Sequence, residues 1–218
     1  SMFGMILFVP FIRQFSKLLI IMVPDRINTL TRFLDESLVG EPSIAIEVSY
    51  KTLRDMMIEV TNAQHILLTN KKVSSEYEKK MINVEEAIEV LRKFLNQIQT
   101  NSSKERNKLV VILHSLDHIT RLTKVLREQQ KIEAIYIQER LLGEWYDLLS
   151  EIKETIHDDN NLEKITLTLE QKSQKVAVER RVRRNHYFER TVANDAELEL
   201  VVSKVEALLW IDRLIYHR

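Results

Sequence analysis

The sequence predicts an all-α protein, because the residues that usually interrupt helices are nearly absent from most of the chain. The 218 residues include three glycines and three prolines, and beyond residue 42 Gly143 alone remains of these. Sheets and tight hairpins need glycine and proline in their turns, whereas long helices need segments without them. Apolar residues also recur at alternating spacings of three and four in several segments, a pattern typical of helices packed in a bundle.

The composition argues against several classes of function. Lys plus Arg number 32 and Asp plus Glu also number 32, so the basic excess expected of a nucleic-acid-binding protein is missing. Without cysteine there are no disulfides or thiolate sites, which fits a reducing cytosol. A phosphate-binding glycine loop, a G-x-S-x-G turn and an H-E-x-x-H motif are all absent from the sequence. We therefore expect a binding or regulatory module and not an enzyme.

Residues 1–25 form an apolar N-terminal segment. Met2–Ile12 carries no charge, and a second apolar run follows Arg13 and Lys17. The uncharged stretch is shorter than the roughly 20 residues of a membrane span, and no basic region precedes it as in a signal peptide. Two interpretations stay open: the end of a transmembrane helix that continues as an interfacial segment, which we favour, or a helix that packs on the bundle. Residues 26–42 would then be a linker.

Three helices are predicted in the first half of the remaining domain, residues 43–218. They cover about Ile44–Thr69, a segment that begins at Ser75, and about Lys104–Gln130. The serines Ser75 and Ser103 are predicted to open the second and third helices, Ser75 with Glu78 at capping-box spacing. The apolar stripes of the three helices are as follows: Ile46, Tyr50, Leu53, Met57, Val60 and Leu67; Tyr77, Met81, Val84, Ile88, Leu91, Leu95 and Ile98; Leu109, Ile112, Leu116, Ile119 and Leu126.

Three more helices are predicted in the second half, at about Glu133–Ile156, Leu162–Val192 and from the N-cap Asp195 to the C-terminus. Trp145 is expected in the core. Helices of these lengths, joined by short connections, suit an antiparallel bundle.

An internal repeat links the third and sixth helices. Leu116–Leu122 reads LDHITRL and Leu208–Leu214 reads LLWIDRL. Aligning Arg121 with Arg213 also pairs Ile119 with Ile211 and Leu122 with Leu214. The repeat predicts two tandem three-helix units, residues 43–130 and 131–218.

Candidate metal ligands lie on the third helix, where His114, Asp117 and His118 share one narrow face with Arg121. Imidazole and carboxylate suit divalent or iron-type ions, but a second helix would have to complete the site. The alternative is a solvated face with an Asp117–Arg121 ion pair. The equivalent face of the sixth helix carries Glu206, Leu209, Trp210 and Arg213.

A basic cluster in the fifth helix comprises Arg180, Arg181, Arg183 and Arg184. It could bind anionic lipid or the acidic face of a partner. Glu179 and Glu189 flank it, so a solvated face is the alternative interpretation.

Two phrases carry a family resemblance. Phe33–Met57 reads FLDESLVGEPSIAIEVSYKTLRDMM, and it resembles the linker and first helix of the cytoplasmic PhoU-like domain in bacterial Na/Pi cotransporters (the NptA-like family). Leu34, Asp35, Pro42 and Ala45 are the matching residues. Leu113–Leu122, LHSLDHITRL, is similar to an L-x-x-L-D-H-x-x-R-L phrase of the same domains.

The resemblance extends over most of the chain from about Arg26. It implies a PhoU-like six-helix bundle of two repeats at the cytoplasmic face of the bacterial cell membrane. There the domain would tune phosphate uptake and phosphate homeostasis by the membrane-embedded transporter of the same polypeptide. Two alternatives stay open: a free-standing PhoU-like adaptor in phosphate signalling, or a metal-binding helical bundle. An oligomer is compatible with all three interpretations.

The resemblance does not imply that this chain binds a metal cluster. PhoU proteins bind multinuclear clusters through one E/D-x-x-x-D motif in each repeat. Here Asp117 matches the first acidic position but Arg121 fills the second, and Leu209 and Arg213 fill both positions in the second repeat. No cofactor is therefore predicted with certainty.

Overall fold

The prediction of an all-α chain is confirmed. A computed structural model describes residues 28–70, 72–128, 139–155, 162–192 and 198–216, and none of these lies in a β-strand. Two short 3₁₀ helices, Thr29–Thr31 and Glu36–Gly40, come first. The α-helices of the described ranges are α1 (Pro42–Asn70), α2 (Ser75–Leu95), α3 (Ser103–Arg127), α4 (Glu139–Thr155), α5 (Leu162–Val192) and α6 (Leu198–Tyr216).

Helices α1, α2 and α3 pack against one another and contain most of the buried side chains. The predicted stripe of α2 is buried in full, including Ile98 just beyond the helix end. In α1, the residues one heptad apart are buried as predicted, but Tyr50 is 41% exposed and Met57 is half-buried. Met56 and Ala63 are buried instead, because the buried face of α1 is centred on the side that carries them, and Tyr50 and Met57 lie at its edge.

Helix α1 is the centre of the bundle, contacted by α2, α3, α4 and both 3₁₀ helices. Its central position buries several polar side chains. The Ser49 hydroxyl donates to the Ala45 carbonyl at 2.7 Å, and the Thr61 hydroxyl donates to the Met57 carbonyl at 2.8 Å. These bonds within the helix satisfy hydroxyls that would otherwise cost free energy on burial.

The remaining helices are added around this three-helix core. Helix α4 packs on α1 through buried Trp145 and Leu149, as predicted for Trp145, and the rings of Tyr146 and His65 lie 4.7 Å apart. Helix α6 packs on α3, and α5 contacts α6 and α4. The bounds of α5 agree with the prediction at both ends.

The predicted N-cap positions of α2 and α3, Ser75 and Ser103, were both wrong by one residue. Ser74 is the N-cap of α2, and its hydroxyl accepts a hydrogen bond from the Tyr77 N–H at 3.2 Å. Ser102 is the N-cap of α3, where it forms a reciprocal capping box with Glu105. Each pair of adjacent serines offers two capping hydroxyls, and the packing of the following helix decides which residue stays extended.

Residues 28–41, which precede α1, pack along the bundle. The Asn28 side-chain amide donates to the Asn83 carbonyl of α2 at 2.6 Å, and Leu30 is buried. The predicted apolar segment of residues 1–25 and the Asp195 cap lie outside the described residues. None of the helices in the described ranges has the length and apolar character needed to cross a membrane.

Candidate functional site

The predicted metal-binding face of α3 is a solvent-exposed surface. His114, Asp117, His118 and Arg121 are all exposed, because buried Leu116 and Ile119 turn the opposite side of α3 toward α1 and α2. The Asp117 carboxylate pairs with Arg121 at 2.9 Å, so the predicted ion pair is confirmed. The Asp117 carboxylate, which the metal hypothesis requires as a ligand, is therefore already paired with Arg121.

The described residues contain no group of three or more His, Asp or Glu side chains arranged to hold a metal ion. His114, Asp117 and His118 project from a single helix. Ligands from one helix rarely complete the coordination shell of a transition metal. The proposed metal site on α3 therefore stays a prediction, without a second helix among the described residues to complete it.

A cleft of about 170 Å³ lies where the N-termini of α1 and α3 meet. Ser43, Ser102, Lys104 and Lys108 contribute to its walls, and helix N-termini favour anions. However, the Glu105 carboxylate already accepts hydrogen bonds from the Asn101 and Ser102 N–H groups. The protein's own carboxylate thus occupies the N-terminus of α3.

Among the described residues, a cluster of hydrogen bonds and ion pairs surrounds the C-terminal end of α3, and the sequence analysis did not predict it. The last carbonyls of a helix lack partners within the helix. Here the buried Tyr77 hydroxyl of α2 donates to the Leu126 carbonyl at 2.8 Å. The buried Trp210 indole N–H of α6 donates to the Val125 carbonyl at 2.7 Å. Two neighbouring helices therefore satisfy the end of α3, and we call this region the α3 clasp.

Ion pairs reinforce the α3 clasp at its rim. Arg127 donates to both carboxylate oxygens of Glu85, at 2.7 and 2.8 Å, and also to Glu78. Arg213 forms a second two-point pair, with Glu128. Such bidentate pairs fix the relative orientation of two helices as well as adding energy. The clasp thus joins α2, α3 and α6.

The environment of the α3 clasp shifts two pKa values. Burial raises the pKa of the Tyr77 phenol above its ordinary value, although nearby Arg127 opposes the change. Hydrogen bonds to Glu85, and to a lesser extent Glu78, raise the pKa of Arg127, against the effect of its partial burial. Both groups therefore keep their protons, Tyr77 as a neutral donor and Arg127 as a cation.

The four positions on α6 that align with the α3 face do not form one exposed face. Glu206 and Leu209 are exposed, whereas Trp210 is 1% exposed and belongs to the clasp together with Arg213. The reason is that α6 packs on the end of α3 through the side on which Trp210 lies. Trp210 is therefore a core residue and not a surface counterpart of His118.

The predicted arginines of α5 occupy different environments. Arg183 pairs with Glu179 one turn earlier, whereas Arg181 and Arg184 are exposed. The side chain of Arg180 lies outside the described residues. Arg183 therefore differs in environment from Arg181 and Arg184, which face solvent.

Sequence reasoning missed the α3 clasp because its partners are far apart in the chain. Tyr77 and Leu126 are separated by 49 residues, and Val125 and Trp210 by 85.

The chain matches no protein-family model, no curated protein and no solved structure.

Proposed function

We propose that this chain is a PhoU-like regulatory domain that works at the cytoplasmic face of a sodium-dependent phosphate (Na/Pi) cotransporter and tunes phosphate uptake. The observation that carries the proposal is the placement of the residues of the linker phrase. Leu34 packs against the core, Asp35 caps the second 3₁₀ helix, Pro42 begins α1 and Ala45 is fully buried. The phrase thus behaves as a docked connection into the bundle.

The architecture that we propose with it is a six-helix bundle of two tandem three-helix repeats. The burial of the repeated phrase in α3 and α6 supports it, since the same three positions are buried in both helices: Leu116, Ile119 and Leu122 in α3, and Leu208, Ile211 and Leu214 in α6. Trp210 is buried, whereas His118 at the aligned position of α3 is exposed. The two copies of the repeat therefore differ in what they contact at this position.

The surface that we assign to regulation is the exposed face of α3. Val111 and Leu113 are 58% and 45% exposed next to His114, Asp117 and His118. Val110 beside them is 50% exposed, and a contiguous exposed apolar patch with a polar rim is typical of interaction surfaces. A packing contact through this face would let the bundle restrain the transporter without chemistry of its own.

The test uses cells that carry the complete gene from which this chain comes. Removal of residues 43–218 should change sodium-dependent phosphate uptake, or its response to external phosphate. Asp117→Ala combined with His118→Ala should reproduce part of that change, because both side chains are exposed and the fold does not depend on them. Lys153→Ala with Glu154→Ala, both exposed on α4 and away from this face, is the matched control. Unchanged uptake and regulation after the deletion would disprove the proposal.

A further inference from the structure

Helix α5 has a packed face and a solvent face. Thr168, Lys172, Glu179, Arg183 and Tyr187 are half-buried and share one side of the helix, as their spacing of four or seven residues requires. Tyr187 packs against the hydrophobic core, and its ring lies 5.6 Å from the Lys204 amine of α6. This side faces the rest of the protein.

The opposite side combines apolar and cationic side chains. Val178, Val182, Phe188 and Val192 are 58%, 64%, 44% and 85% exposed. Arg181 and Arg184 are exposed between them. We call this surface, from Val178 to Val192, the α5 outer face.

The charge of this part of the chain is strongly positive. Residues 175–190 contain six Lys or Arg and two Glu, in a chain whose net charge is zero. Glu179 is paired with Arg183. Arg181 and Arg184, by contrast, contact no carboxylate among the described residues. Within the described part of the chain, Arg181 and Arg184 are therefore cations of the outer face without a carboxylate partner.

We propose that the α5 outer face docks on an anionic lipid surface. Helices that lie in a membrane interface combine exposed apolar side chains with Lys and Arg at the headgroup level. Arg181 and Arg184 would contact lipid phosphates, and Val178, Val182 and Phe188 would enter the boundary with the acyl chains. This inference extends the proposed function, because a transporter's regulatory domain works beside a bilayer.

Lipid fits this face better than the other occupants. A second copy of the chain would bring like charges together, which is unfavourable in a helix pair. An acidic protein would pair with the arginines but would also need a groove that matches four exposed apolar side chains. A bilayer interface supplies anionic headgroups and an apolar layer without any matched shape.

The test is co-sedimentation of the full chain with vesicles. We expect binding to vesicles of phosphatidylcholine mixed with phosphatidylglycerol, weaker binding to pure phosphatidylcholine, and a fall in binding as salt rises. A basic residue near an anionic membrane contributes about fivefold in affinity. Arg181→Gln combined with Arg184→Gln should therefore weaken binding by about 25-fold, and Glu189→Gln should strengthen it.

The matched control is Lys104→Gln with Lys108→Gln, which makes the same change in charge on α3 and should leave binding unchanged. The apolar residues 1–25 are common to every variant, so any binding by them cancels in the comparison. Circular dichroism checks that each variant is folded. Equal binding by the Arg181/Arg184 variant and the control would overturn the lipid proposal, as would a stable dimer that this variant alone dissociates. Transporter regulation is not measured in this assay, so the proposed function can fail separately.

Discussion

Trp210 connects α6 to the end of α3 through one hydrogen bond and a fully buried ring. Trp210→Phe removes the indole N–H and leaves the Val125 carbonyl without that donor, and it also leaves a small void. We expect the free energy of unfolding to fall by about 2 kcal/mol or more, measured by urea denaturation. Leu209→Ala is the neighbouring control, and its exposed side chain should cost much less. Similar losses in both variants would contradict the role of the hydrogen bond.

Tyr77 gives the protein a specific response to alkaline pH. Its pKa is raised by burial, so above about pH 10 the unfolded chain releases the phenol proton while the folded chain retains it. The free energy of unfolding contributed by Tyr77 is therefore complete below pH 10 and declines as pH rises further.

Tyr77→Phe isolates this contribution. At pH 8 the variant should be about 1 kcal/mol less stable, because the Leu126 carbonyl loses its donor. Above pH 10 the gap between wild type and variant should narrow, measured by urea denaturation at each pH. A gap that stays constant with pH would show that the phenol is not held protonated.

The metal hypothesis leads to a clear expectation for the α3 face. Asp117 is paired with Arg121 and both histidines are exposed, so we expect purified protein to carry no stoichiometric transition metal. Elemental analysis after dialysis against zinc, manganese or iron measures this. A stoichiometric ion that His114→Ala removes would reverse the conclusion, and it would require ligands from outside the described residues.

The paired serines allow a test of helix capping with controls built into the chain. The Ser102 hydroxyl accepts the Glu105 N–H at 3.1 Å, whereas Ser103 is already inside α3. We expect Ser102→Ala to cost about 1 kcal/mol of stability and Ser103→Ala to cost much less, from thermal or urea unfolding. The sequence interpretation, which placed the cap at Ser103, predicts the opposite order.

The helices themselves could be predicted because their signals are local. The bounds of α5 follow from the polar break before Leu162, and the buried stripe of α2 follows from its spacing. Caps were less predictable, since Ser74 and Ser75 are chemically the same. Tyr50 was misplaced because a heptad pattern does not fix where the buried face of a helix is centred, and in α1 the centre lies closer to Met56 and Ala63.

The joining of distant segments could not be predicted from any local pattern. Arg127 and Glu85 are 42 residues apart, and Arg213 and Glu128 are 85 apart. In the sequence each is one charged residue among many. The α3 clasp therefore emerges only when α2, α3 and α6 are brought together, and the same holds for the solvent-facing position of Arg181 and Arg184.

The distribution of buried side chains predicts which helices unfold locally at the lowest free energy. The buried core is concentrated in α1, α2 and α3, with contributions from α4 and α6, whereas none of the described side chains of α5 is buried. Regions with few buried apolar contacts unfold locally at a lower free energy than the core. We therefore expect hydrogen exchange to show the amides of α1–α3 protected to the limit of global unfolding, and those of α5 exchanging much faster. Because α6 is held by the α3 clasp, its amides should be more protected than those of α5, and Trp210→Phe should reduce that difference. Equal protection of α5 and α1 would contradict this expectation and would mean that α5 unfolds as part of the same cooperative unit.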